Sequence, residues 1–149
     1  MNLSRKAPAI ARIFLGALFL LFGLNGFLHF LPMPPAPEKA GAFLGALAAT
    51  GYMFPLIKGT EVVAGLLLLS GRFVPLALTL LAPVVVNIVA YHAVLAPEGV
   101  AFPIVLAAVA LYLAYAYRGA FKGVLDSNAK PVTTAAIEVV GRPVDASAE

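Results

Sequence analysis

The sequence predicts an all-α protein, a transmembrane four-helix bundle with a short extra outer-face helix between spans one and two. Three observations point there. The 149 residues are 62% hydrophobic and only 11% charged, with a mean hydropathy of +0.97, a composition outside ordinary soluble domains and inside the membrane class. Four apolar runs, bounded by Pro, Gly or charged residues, approach the roughly 20 residues that one spanning helix needs. The basic residues that flank these runs, Lys39 apart, fall on one side, as the positive-inside rule expects of a multi-pass protein.

The first run, Ile13 to Leu31, follows a cytoplasmic N-terminus (residues 1–12) that carries Arg5, Lys6 and Arg12. No small-x-small cleavage pattern follows it, so it is expected to stay attached. Pro32, Pro34, Pro35 and Pro37 then make a stiff connection, because the residue before each proline is pushed away from helical geometry. Ala40 to Thr50 reads as a helix too short to cross, lying on the outer surface. Phe43, Leu44 and Leu47 give it a bulky face, and Gly41, Gly45 and Ala48 a small one suited to tight packing within the chain. The second span covers 54–70, Gly71-Arg72 turns the chain, and the third covers 73–96. That third run needs a tilt, or a kink at Pro83, to fit the hydrocarbon. Pro97, Glu98 and Gly99 form the next turn, and the fourth span covers 102–118 with Tyr112, Tyr115 and Tyr117 near its end. The membrane domain thus occupies 13–121, and the polar stretch 122–149 reads as a mobile cytoplasmic tail.

Arg5, Lys6, Arg12, Arg72, Arg118 and Lys122 all fall on one side, while the other side has Lys39, offset by Glu38, and Glu98. Both termini are therefore expected in the cytoplasm, with the protein in a plasma membrane. The formal charge of +3 belongs to these flanks; it orients the chain and is not a nucleic-acid footprint. With no cysteine, disulfide scaffolds, thiolate metal sites and thiol relays are excluded.

Within the runs, polar residues are costly and mark structure or function. Lys58 and Glu61 stand out most. Lys58 lies in the first turn after Pro55, and its stem is long enough to snorkel to the headgroups or to reach a buried partner. Glu61 is shorter and deeper, leaving a neutral acid or a carboxylate matched by Lys58 or an imidazole. Asn25 and His29 share a face of span one, and Asn87, Tyr91 and His92 lie in span three. Given the orientation, Asn25, His29, Glu61, Asn87 and His92 all fall in the outer half of the bilayer. Glu61 and His29 are then candidate catalytic groups sharing one pocket, and Asn25, Lys58, Asn87, Tyr91 and His92 are candidate ligand-binding groups. The plainer reading has both asparagines bonding across helices, at roughly 0.6 kcal/mol each. One acid, two imidazoles and two amides suit a quinone or another small amphiphile, whose carbonyls need donors and whose protons need an acceptor. No metal, haem or flavin is expected in the chain.

The runs ARIFLGALFLLFGLNGFLHF, FLGALAATGYMFPLIKGTEVVAGLLLLSGRFVPLAL and APVVVNIVAYHAVLAP together resemble the DoxX family of small four-helix membrane proteins, over about residues 9–121. Asn25, His29, Lys58, Glu61, Gly65, Gly71, Arg72 and Asn87 stand in the matching segments. The resemblance implies a bacterial inner-membrane protein similar to the membrane subunit of thiosulfate:quinone oxidoreductase and to membrane components of thiol-stress oxidoreductase complexes. Two readings follow. The chain is a membrane component of a quinone-linked oxidoreductase, with a redox or envelope protein as partner, or it is a non-catalytic binding or assembly subunit. The length leaves no room for a soluble redox domain, so catalysis would need that partner; a homo-oligomer is left open. Small-solute transport fits less well, since no inverted repeat is evident.

Overall fold

The computed structural model describes residues 3–33 and 35–131. Among these the chain is all-helical and contains no strand. Its five α-helices are α1 (Leu3–Leu28), α2 (Glu38–Ala49), α3 (Met53–Ser70), α4 (Val74–Leu95) and α5 (Ala101–Ala116), with short 3-10 turns at Pro97–Gly99 and Arg118–Phe121. α1, α3 and α4 are each long and apolar enough to cross a membrane. α5 is equally apolar, but its 16 residues reach only about 24 Å at 1.5 Å per residue. The tail expected from residue 122 begins with exposed turns and irregular chain as far as residue 131. Its remainder, 132–149, lies outside the described residues, as does Pro34 of the proline connection.

Helix ends follow local chemistry. α1 starts well before Ile13, running through Pro8, and stops at Leu28 rather than Leu31. The early stop is made by Asn25, whose Oδ1 accepts from the Leu31 N–H at 2.6 Å and whose Nδ2 donates to the Leu31 carbonyl at 3.4 Å. This clasp turns the chain back over the helix end, with His29 in the left-handed region at φ 52°, where His is tolerated better than most residues. At the α2–α3 corner the Thr50 hydroxyl donates to Leu47 O at 2.7 Å and accepts from Met53 N–H at 3.1 Å, and Gly51 supplies the positive φ. α3 stops at Gly71, whose φ of 72° is the usual left-handed end of a helix.

α1 packs on α3 and α5, and α4 packs on the same two helices, so the contacts run in a ring, with α2 laid against α3 and α4. Leu15 and Phe19 of α1, Ala64 and Leu68 of α3, Val74, Ala77, Leu78, Leu81 and Val85 of α4, and Leu106 and Leu113 of α5 form one buried core. In lipid, apolar burial gives helices little reason to associate, so close backbone approach and hydrogen bonds must hold them. The α1–α3 crossing supplies both. A Cβ on Gly65 would lie 2.7 Å from Leu20 N and 2.9 Å from Gly16 O, and one on Gly23 would lie 3.0 Å from Glu61 Cβ. Arg12 of α1 donates to the carbonyl of Leu68 and, at 3.0 Å, to that of Leu69, placing a cation where the α3 dipole ends.

The glycine face expected on α2 does not pack. A Cβ on Gly45 would meet nothing within 4 Å, and one on Gly41 only the Ala36 carbonyl at 4.0 Å. The tight helix pair is α1–α3 instead, because α1 aligns Gly16, Gly23 and Gly26 on the side that meets Gly65 and Lys58.

Candidate functional site

The site is built on α3 and completed by α1. Lys58 and Glu61 are i and i+3 on one helix face, and Lys58 Nζ lies 2.8 Å from Glu61 Oε2 and 3.1 Å from Oε1. Their side chains are 19% and 4% exposed. α1 presents Gly26 and Gly23 to this pair: a Cβ on Gly26 would collide with the Lys58 stem, and one on Gly23 would meet Glu61 and Val62. The lysine therefore lies in a groove of bare backbone, its ammonium 5.8 Å from the centre of the Phe54 ring. Of the two courses open to Lys58 from the sequence, snorkelling is not the one taken. Gly26 leaves room for the stem beside α1, and leaving the buried Glu61 carboxylate unmatched would cost roughly 3–5 kcal/mol, more than the ammonium would gain at the headgroups.

The other candidate residues occupy three different settings. Asn25 is buried at 7% exposure, but its amide is spent on the backbone of Leu31. It bonds neither a neighbouring helix nor Glu61. His29, one residue past α1, is exposed, and its backbone N–H bonds Asn25 O at 2.9 Å. Glu61 takes its hydrogen bonds from Lys58, and none joins it to His29 among the described residues. The left-handed turn forced by the Asn25 clasp carries the imidazole outward.

On α4, Tyr91 and His92 cooperate. The Tyr91 ring lies 6.0 Å from Phe43 of α2 and 5.0 Å, edge to face, from His92. His92 Nδ1–H donates to Ile88 O at 2.9 Å, and its ring packs where a Cβ on Gly99 would come within 3.1 Å. This aromatic group joins α2, α4 and the Pro97–Gly99 turn. Asn87 joins nothing in the chain: it is exposed, and its amide makes no hydrogen bond among the described residues. Its place follows from α4 geometry, since it stands two residues, roughly 200° of helical rotation, beyond the core residue Val85.

The five residues expected in one outer-leaflet pocket thus separate into a locked ion pair, a backbone clasp, an aromatic corner and two exposed side chains. Two hollows lie elsewhere and are apolar. One, of about 450 Å³, runs between α4 and α5 along Leu78, Ala82, Val85, Ala107 and Ala110. The other, of about 340 Å³, lies between α3 and α4 along Leu56, Gly59, Thr60, Val63 and Leu80. Among the described residues no three His, Cys, Asp or Glu side chains come together as a metal site would need.

Sequence reasoning read Arg12 only as an orienting charge and gave Gly16, Gly23 and Gly26 no part. The recurrence of small residues at helical spacing along the first run was the signal that could have marked the α1–α3 contact. No known protein family matches the chain, and no characterised protein or solved structure resembles it significantly.

Proposed function

We propose that this chain is a multi-pass inner-membrane subunit that binds or assembles a partner, and that its intramembrane polar groups lock its helices rather than handle substrate. One observation carries the reading. Lys58 gives its ammonium to both carboxylate oxygens of Glu61, so the acid expected to accept a substrate proton already has a full partner in its own helix. Asn25 and His92 likewise bond to backbone of their own helices or connections. In this reading four helices span the bilayer with both termini cytoplasmic, as the one-sided Lys and Arg distribution favours. The reach of Arg12 to the end of α3, beside Arg72, supports placing those two basic residues on one side.

The quinone-linked reading keeps one supporting observation: the Lys58 side chain is 19% exposed, so its ammonium is not wholly enclosed and a quinone carbonyl could take a hydrogen bond from it. A single experiment divides the two. The full chain, purified in mild detergent from its native membrane, is extracted with organic solvent and its quinone content measured, alongside Glu61→Gln. The assembly reading expects less than stoichiometric quinone in both. Stoichiometric quinone in the wild type, lost in Glu61→Gln while the variant remains folded, would establish the quinone site and overturn it.

A further inference from the structure

We propose that the outward face of α4 is the contact between two copies of this chain, closed at its centre by a pair of Asn87 amides. Asn87 lies well inside a 22-residue apolar helix, Val74–Leu95, eight residues and so about 12 Å from its end. It faces away from the core, and its side chain has no hydrogen-bond partner among the described residues. Other exposed or half-exposed polar side chains in the helices solve the same problem internally. Thr60 donates to Leu56 O at 2.9 Å, Thr79 to Pro75 O at 2.9 Å and Ser70 to Leu67 O at 2.8 Å. The Asn87 amide does none of this. Hydrocarbon offers no partner to a primary amide, so the group needs a polar partner from outside its own chain.

The pattern around Asn87 gives that polypeptide a shape. Leu76, Leu80, Pro83, Asn87, Ala90 and Val94 are all exposed and follow one another in alternating steps of four and three. This is the spacing of a coiled-coil seam, in which one polar residue among apolar ones sets register and oligomeric state. Pro83 and Ala90, on either side of Asn87, are compact enough to let a second helix come close.

The second helix is assigned to another copy for a chemical reason and a geometric one. A primary amide is donor and acceptor at once, so two asparagines related by a two-fold axis satisfy each other with two reciprocal N–H···O bonds. Membrane insertion holds every copy in the same direction and at the same depth, which puts Asn87 opposite Asn87 without further adjustment. A different protein would need a polar group of its own at that depth. The inference rests on α4 spanning the bilayer, and it identifies the assembly partner as this chain itself.

The absence of cysteine makes the test direct. Single-cysteine variants Ala90→Cys and Val94→Cys on the seam, with Leu66→Cys and Leu111→Cys as exposed controls on α3 and α5, are oxidised in native membranes. Disulfide-linked dimer is expected for the seam pair and background for the controls. In lipid nanodiscs or bilayers of fixed protein density, Asn87→Leu should lower the dimer association constant roughly three- to twentyfold, and Asn87→Gln should restore part of it. Equal crosslinking at seam and control positions would overturn the interface, as would an unchanged constant in Asn87→Leu. A benzophenone side chain placed at position 87 that captured a different protein would also overturn it. Alkaline carbonate extraction separates this from failure of the membrane reading: release of the chain defeats that reading, and retention with negative crosslinking defeats the interface alone.

Discussion

Lys58 shows how much of a residue's behaviour depends on the surface it meets. In sequence it stands three positions from Pro55 at the edge of an apolar run, and helix geometry alone leaves the headgroups and the interior equally within its reach. What decides between them is Gly26, thirty-two positions earlier in the chain, which removes the side chain that would block the inward path. Asn25 makes the same point: its burial was expected from its place in the run, but its partner is the backbone of Leu31, set by a turn that no periodicity describes. Asn87 was read as a ligand-binding candidate or, more plainly, as a bond across helices, and α4 presents it outward. The ion pair has a consequence at this scale. Lys58→Met leaves Glu61 buried without its partner and should destabilise the purified protein by about 3–5 kcal/mol, whereas the double variant Lys58→Met/Glu61→Leu should recover most of the loss. Thermal unfolding in one detergent checks this, and a double variant no more stable than the single one would show that the pair does more than cancel its own charges.

Elements were more legible than contacts. The existence of all five helices could be read from the lengths of the apolar runs and the Pro and Gly residues between them, because in hydrocarbon every backbone polar group must be satisfied within its own segment. Helix pairing could not be read in the same way: α2 has a Gly-xxx-Gly face that meets nothing, whereas α1 and α3 meet through glycines spaced less regularly. The difference lies in what faces each small residue, which is set by how the four longer helices share one core. Gly65→Ala would drive a Cβ into the backbone of Leu20 and Gly16, atoms unable to move without parting the helices, and should cost about 1–3 kcal/mol. Gly45→Ala has open space around it and should be neutral or stabilising by up to about 1 kcal/mol, since alanine favours the helix. Equal losses at the two positions, measured by thermal unfolding, would mean that α2 is also tightly held.

For the molecule as a whole, the proposed four-span arrangement would put residues 38 and 98 outside and the Arg72 turn and residue 130 inside. Alkaline phosphatase and green fluorescent protein fusions after Glu38, Arg72, Glu98 and Lys130 should report outside, inside, outside and inside in that order; an inside signal at Glu98 would defeat the arrangement by removing α4 as a span, and an outside signal at Lys130 would remove α5. The proposed α4 contact requires no more than this common orientation. The Arg12 bond to the end of α3 carries a different implication, for the order in which the protein is made. Its partners lie 56 and 57 residues further along the chain; at 5–20 residues per second of synthesis, that is a wait of about 3–11 s. During that interval the Arg12 guanidinium lacks its partners on α3 and the glycine face of α1 is bare. A translation intermediate stopped before Leu68 would hold α1 without the helix that it meets most closely and without the carbonyls that Arg12 bonds.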